Sequence, residues 1–315
     1  MKYVLGIDTS CYTTSVAILD ERGQLISDCR RILKVKAGGR GLQQSEMVFQ
    51  HTRNLPELFA EAVLPLGKPE FSAIGVSAFP RPVPDSYMPA FLVGEGYATV
   101  LSVSQSVPLY RISHQENHIF AGLWSAQGPL AKDFLAVHLS GGTTEIVRVA
   151  RAGSPATQRL NIEMVGNSLD IHAGQLIDRI GVLLGLAFPA GPSLEKLADS
   201  AQAEAIPIPF TLRNAQVSFA GPETFVRKLV AQGAAAAPVA AGVQLCIARA
   251  VTAMIHYAID HTGLTEVLLV GGVTANKFIR NYLSGHLANT RLYFPATAYS
   301  PDNAAGAAYY ALASQ

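Results

Sequence analysis

Apolar and polar positions fall into two kinds of block along the chain. "KYVLGID", "FSAIGVSAF", "VPLYRIS" and "EVLLV" are short apolar runs bounded by glycine, proline or small polar residues, and they predict strands. Longer stretches repeat apolar residues at helical spacing. Residues 45–66 carry Met47, Val48, Leu55, Leu58, Phe59 and Ala62 on one stripe and predict a helix kinked at Pro56. Further helices are predicted at 90–107, packed closely through Gly94 and Gly96, and at 170–186, 192–203, 240–263 and 300–313. "PRPVPDSYMP" predicts a proline-rich loop, and "AQGAAAAPVAA" a loop joining two helices. "EVLLVGGVTANKFIRNYLSGHL" predicts strand, glycine turn and helix in succession.

Two segments repeat one pattern. Residues 6–19, "GIDTSCYTTSVAIL", align without a gap to residues 136–149, "AVHLSGGTTEIVRV", at an offset of 130. Ser10 then meets Ser140, and Thr13 and Thr14 meet Thr143 and Thr144. Each copy reads as a β-hairpin whose tip offers hydroxyls and backbone N–H groups, with Thr9 and Ser10 as candidate phosphate contacts in the first. Two such hairpins at the heads of two halves predict a duplicated architecture with the tips facing across a cleft.

With 315 residues, 49% hydrophobic and 15% charged, the chain can fill two lobes. A net charge of +1 argues against a generally basic nucleic-acid coat and leaves room for a local patch. The run at 30–40, "RRILKVKAGGR", suits either RNA phosphates or a protected sheet edge. Three widely spaced cysteines, Cys11, Cys29 and Cys246, predict neither a disulfide framework nor a CxxC metal site, which suits a reducing cytoplasm. No signal-peptide pattern and no uninterrupted apolar run of spanning length are read, so no membrane association is expected.

Ser113 followed by Glu116 fits a capping box, so a helix should start there, with His114 and His118 one turn apart on one face. By itself such a pair is either a metal site or ordinary helix histidines. It is not a zincin motif, because a glutamate does not directly follow the first histidine. Ser300 and Pro301 predict a helix start with Asp302 in its first turn, which would suffice as a capping carboxylate. Asn276 follows the Gly271–Gly272 turn and could reach a nucleotide, or belong to an ordinary turn. Asp170 and Asp178 are expected on one helix, Asp178 as a candidate ribose acceptor or as a solvated charge.

The order of "GIDTSC", "HQENH", "LSGGT", "IDRIGVLLGLAFPAGP", "VSFAG", "GGVTAN" and "PDNAAGAAY" resembles the TsaD family of tRNA threonylcarbamoyladenosine-synthesis proteins over nearly the whole chain. The resemblance implies an α/β, two-lobed actin, sugar-kinase and heat-shock-ATPase (ASKHA) fold, in keeping with the duplicated hairpins. Residues 1–112 would form the N-terminal lobe, joined by a C-terminal helix at 299–315, and residues 113–298 the C-terminal lobe. It implies one divalent metal ion, iron or zinc, on His114, His118 and Asp302. It places an adenine nucleotide or acyl-adenylate on Leu139, Ser140, Gly141, Gly142, Thr143, Asp178, Gly191 and Asn276. The implied activity is cytoplasmic threonylcarbamoyl transfer to N6 of a tRNA adenosine, or a related carbamoyl transfer. The alternative is a non-catalytic nucleotide-binding paralogue. Expected partners are tRNA and a second ASKHA-fold chain, as homodimer or heterodimer. The chain departs from the family pattern at Tyr12, Thr13, Thr143, Ile171, Gln175 and the "FPRPVPDSY" loop, which removes four carboxylates and a histidine. Those departures predict weak or no activity on the usual tRNA acceptor unless the missing acids are supplied otherwise.

Overall fold

Strand β1 (Lys2–Asp8) returns as β2 (Thr13–Asp20) through a tight tip, where Cys11 takes a left-handed φ of +44°. The computed structural model describes residues 2–35, 41–152, 159–199 and 204–315. From β2 the chain runs through β3 (Leu25–Ile32), α1 (Gln44–Val63), β4 (Glu70–Phe79), α2 (Phe91–Gln105) and β5 (Leu109–Ser113). Helix α3 (His114–Ala126) leads into β6 (Asp133–Leu139), β7 (Thr144–Ala152) and β8 (Arg159–Asn167). Then follow α4 (Ala173–Leu183), α5 (Gly191–Asp199), a small ribbon of β9 (Thr211–Arg213) and β10 (Gln216–Ser218), α6 (Ala220–Ala231) and α7 (Ala236–Thr262). Strand β11 (Glu266–Val270), α8 (Lys277–His286), β12 (Arg291–Tyr293) and α9 (Ala305–Ala313) close the chain.

The duplication is complete at the level of sheets. One five-stranded sheet has the order β3-β2-β1-β4-β5, and the other, read from β8, has β8-β7-β6-β11-β12. In each, the first three strands are antiparallel and the last three parallel. Helices α3 and α9 lie between the two sheets. Ile119, Phe120 and Leu123 of α3 pack with Phe134, Val147 and Val270, while Ala308 and Ala311 of α9 pack with Val4, Leu19 and Ala73. Gly6 and Gly75 face each other in register beneath α9, and a side chain on either would run into its backbone.

Several local expectations change. Gly94 is crowded, its Cβ position 2.8 Å from Thr9 Oγ1, but Gly96 has open space around it and is exposed. The alanine-rich connection is only residues 232–235, because α7 already starts at Ala236 with Pro238 in its first turn, where a missing N–H leaves no bond unmade. Asp170 precedes α4, which starts after His172; Asp170 instead accepts from the backbone N–H groups of Phe219 and Ala220. The predicted helix tail at 200–203 and the basic run at 36–40 lie outside the described residues. Arg30 and Arg31 sit on the edge strand β3 and are paired, with Asp28 and Glu57. Helix α7 is long and apolar enough to cross a membrane by length and composition, but 72% of its apolar window is already buried by protein.

His51 lies in the buried stripe of α1 beside Met47, Leu55, Leu58 and Ala62, 2.8 Å from Thr14 Oγ1 through Nδ1. Burial pushes its pKa down to about 4. The folded value lies below the unfolded one, so protonation favours the unfolded chain. Its contribution is complete above the unfolded pKa of about 6.5 and is lost as pH falls toward about 4. Between pH 7.5 and 5.5 the wild type should therefore lose about 1 kcal/mol more stability than His51→Gln, measured by urea unfolding of metal-free protein. Equal losses would contradict this account.

Candidate metal and nucleotide site

Strand β5 runs straight into α3 because Ser113 caps it. Ser113 Oγ accepts from Glu116 N–H, and the Glu116 carboxylate accepts from Ser113 N–H at 2.8 Å. This fixes His114 and His118 on one face of the first turns, pointing into the cleft. Asp302 arrives from the other side, on the loop before α9. The expected cap is absent there: Ser300 lies outside the helix and its Oγ is within 3.0 Å of Arg280 Nη2. Asn303 builds the turn instead, donating to the Tyr299 and Pro301 carbonyls and accepting from Ala305 N–H. Asp302 is thus left free of backbone duties and faces the histidines.

His114 Nε2 and His118 Nε2 are 3.2 Å apart, and Asp302 Oδ1 lies 3.5 Å and 3.3 Å from them. A triangle with such edges is what three ligands roughly 2.0–2.2 Å from a common ion would subtend. Two nitrogen lone pairs and a carboxylate oxygen converging in a buried place fit a divalent cation. The charges agree with this. Burial opposes ionisation of Asp302, yet hydrogen bonds from His114 and His118 outweigh it and hold the acid ionised. Burial likewise opposes charging of His114, but Asp302 and Asp8 outweigh it and raise its pKa. Burial and the neighbouring His114 lower His118.

A cavity of about 720 Å³ opens beside the triad, between the two hairpin tips. That is within the usual range for a small-molecule site. Of the residues expected to contact the nucleotide, Ser140, Gly141, Gly142, Thr143 and Asp178 line it. Gly141 and Gly142 have no atom within 4 Å of their Cβ positions, so a ligand can approach their backbone closely. Asp178 accepts from Ala190 N–H at 2.8 Å, and burial raises its pKa.

Leu139 is fully buried in the core behind the tip, and Gly191 begins α5 with nothing within 4 Å of its Cβ position. Asn276 is the N-cap of α8: its side-chain oxygen accepts from Ile279 N–H, and its amide donates to Gln244. Thr9 and Ser10 are turned inward. Thr9 Oγ1 donates to the Ala90 carbonyl and accepts from Gly94 N–H, while Ser10 donates through both N–H and hydroxyl to Asp8. The first hairpin presents Cys11 and Tyr12 to the cavity instead, and Tyr12 meets Phe188 edge-on across it at 5.7 Å.

The deciding comparison is with known families: the model of tRNA N6-adenosine threonylcarbamoyltransferase, TsaD, matches residues 46–309. The chain belongs to the TsaD family. A tRNA N6-adenosine threonylcarbamoyltransferase of Aromatoleum aromaticum is 32% identical over 97% of this chain and 89% of its own. Among solved structures, nucleotide-bound full-length HypF is similar over 99% of this chain and 46% of its own, with 11% identity and a TM-score of 0.61. An activator of 2-hydroxyisocaproyl-CoA dehydratase from Clostridium difficile is similar over 98% of this chain and 94% of its own, with 15% identity and a TM-score of 0.57. These two structures support the ASKHA fold of this TsaD-family chain, the architecture its two sheets already display.

Further titratable residues outside the motifs border the site. Asp8 is fully buried, held by Ser10 and by Asn117 Nδ2 at 3.4 Å. Burial lifts its pKa to about 6, against the pull of His114. His138 and Glu145 pair across β6 and β7, and Arg81 reaches Glu145 at 2.8 Å from the loop after β4. Arg81 lies on the loop after β4, and Gln175 on α4. Gln175 accepts from His172 N–H and so caps α4 in this TsaD-family chain.

Proposed function

We propose that this chain transfers a threonylcarbamoyl group from its adenylate to N6 of a tRNA adenosine. The observation that supports this most is the convergence of His114, His118 and Asp302 on one point beside a cavity walled by two hairpin tips, in a TsaD-family chain. The N6 lone pair attacks the carbamoyl carbon, the bond from that carbon to the adenylate oxygen breaks, AMP leaves, and N6 gives up a proton. His114, His118 and Asp302 would hold the divalent ion, iron or zinc, which when bound supplies Lewis acidity toward the acyl oxygen. The backbone at residues 140–143 would receive the adenylate, and Asp178 would accept from ribose hydroxyls. Asp178→Ala should weaken AMP binding about tenfold or more by calorimetry, since a hydrogen bond to a charged group is lost. Unchanged affinity would remove Asp178 from the site.

Peptidase chemistry is disfavoured by geometry, because the Glu116 carboxylate closes the helix cap and is not free to activate water. A purely non-catalytic partner role is disfavoured by family membership. A cytoplasmic place follows from a tRNA substrate. The outer face of α2 exposes Leu92, Tyr97, Val100 and Val103, an apolar row suited to the expected homodimer or ASKHA-fold partner. The test is to supply threonylcarbamoyl-adenylate and total tRNA and to follow modified adenosine by mass spectrometry. Modified adenosine is expected, at a rate lowered by the family departures. Consumption of the adenylate without it would assign another acceptor, and no consumption at all would overturn the reading.

A further inference from the structure

Two arginines line the cavity beside the triad, Arg81 and Arg179, and the proposed function gives neither a task. Each is held by a buried carboxylate. Arg81 Nη2 lies 2.8 Å from Oε2 of Glu145, and Arg179 Nη1 donates to Oε2 of Glu223 at 2.9 Å. The acids are themselves fixed: Gln115 donates to Glu145 Oε1, and Arg227 donates to Glu223 Oε1 through Nε and Nη2. In the arginine pairs that do not involve these two acids, the carboxylate is half-buried or exposed. Burying a carboxylate costs free energy that an ion pair repays poorly, so the pairing is a weak device for stability. What it does supply is a guanidinium fixed in place. Both arginines are only half-buried, and among the described residues neither guanidinium has a further partner, so the remaining N–H groups face the cavity. The loop of Arg81 is also braced. Its N–H donates to Ser86 Oγ at 2.9 Å, its carbonyl accepts from Val83 N–H at 2.8 Å, and the Pro80 carbonyl accepts from Gln115 N–H. Gln175 lines the cavity one turn before Arg179, about 6 Å along α4. Arg81 approaches the start of the same helix, where burial first and its charge second lower the pKa of His172. One wall therefore presents two fixed cations about a neutral hydrogen-bonding side chain.

We propose that Arg81 and Arg179 bind the threonine carboxylate of the acyl donor, with Glu145 and Glu223 as positioning residues. This rests on the proposed function, which gives the adenylate phosphate to the backbone at residues 140–143 and leaves the donor's second anion without a partner. A planar guanidinium fork matches a carboxylate in geometry as well as charge. The donor is then held at both ends, with the carbamoyl carbon between them. The wall also sets the substrate class: acyl groups that carry a free carboxylate are accepted over an unsubstituted carbamoyl group, which would leave both arginines without an anion.

The test is calorimetry on the full chain with N-carbamoyl-L-threonine, its neutral amide and AMP as separate probes. The wild type should bind the carboxylate probe at least about tenfold more tightly than the amide, which cannot make the charged hydrogen bonds. Arg81→Gln and Arg179→Gln should each erase most of that preference and leave AMP affinity unchanged. Lysine at either position should restore only part of it, because the fork is lost. In the transfer assay both glutamine variants should raise KM for the adenylate more than they lower kcat. Thermal unfolding checks that the variants fold. A wild type that does not prefer the carboxylate probe would overturn the inference, as would the full preference in a folded variant carrying both changes. Equal loss of AMP affinity would assign the arginines to the phosphate, and loss of tRNA affinity with the preference intact would assign them to RNA; either result overturns it. A wild type that consumes no adenylate overturns the proposed function instead.

Discussion

His118→Ala is expected to bring the metal content of the purified protein from about one ion per chain to near zero. His118 is 2% exposed and central: its Nε2 is the vertex closest to both other ligand atoms, at 3.2 Å and 3.3 Å. Two ligands on one side of an ion do not retain it against water. Affinity should fall more than about 100-fold, beyond the effect of losing a supporting residue. Threonylcarbamoyl transfer should fall with it. The control is His286→Ala, an exposed histidine near the end of α8 bonded only to the Tyr282 carbonyl. It should keep both metal and activity. Elemental analysis of protein purified without chelators or a metal column reads the result. A His118→Ala protein that still carries one tightly bound ion would remove the triad from the site.

The parts of the site that could be read from the sequence are those with a local spacing rule. The capping box at Ser113 and Glu116 fixes the phase of α3, and with it the direction of both histidines. The repeat at an offset of 130 anticipates two sheets of one strand order, because strand alternation survives duplication. His138 and Glu145 were hidden for a physical reason. In "AVHLSGG" a single histidine interrupts an apolar strand, and only the hairpin register places it opposite Glu145. The repeat did carry the signal, since it aligns His138 with Asp8, but each residue alone resembles a strand residue. Asn276 and Ser300 show how a polar side chain is claimed by its surroundings. The Asn276 side chain caps α8, and Ser300 resembles a cap yet serves Arg280, because Asn303 shapes the turn there. Sequence can propose that a polar side chain has a partner, but which partner wins depends on tertiary neighbours.

Gly75→Ala is expected to cost about 3–5 kcal/mol of stability, above the usual ~1–3 kcal/mol for overpacking, because the obstacle is backbone rather than a mobile side chain. A Cβ at Gly75 would meet the Ala307 carbonyl of α9, and the next nearest side chain, Ala311, also belongs to that helix. Relief requires α9 to lift from β1 and β4. Lifting is resisted on the opposite side, where Gly306 packs against the Asn117 backbone of α3. The two helices that carry the metal ligands are therefore spaced by glycines: α3 bears His114 and His118, and the loop entering α9 bears Asp302. Gly75→Ala should thus lower the melting temperature and weaken metal binding together, although no ligand is touched. Gly96→Ala is the contrasting case. It lies on an exposed face inside α2 with nothing within 4 Å, so alanine should stabilise by about 0.5–1 kcal/mol and leave metal affinity unchanged. Thermal unfolding and metal titration of the two variants decide the matter. A folded Gly75→Ala that keeps wild-type metal affinity would show that the seat of α9 does not set the distance between Asp302 and the histidines.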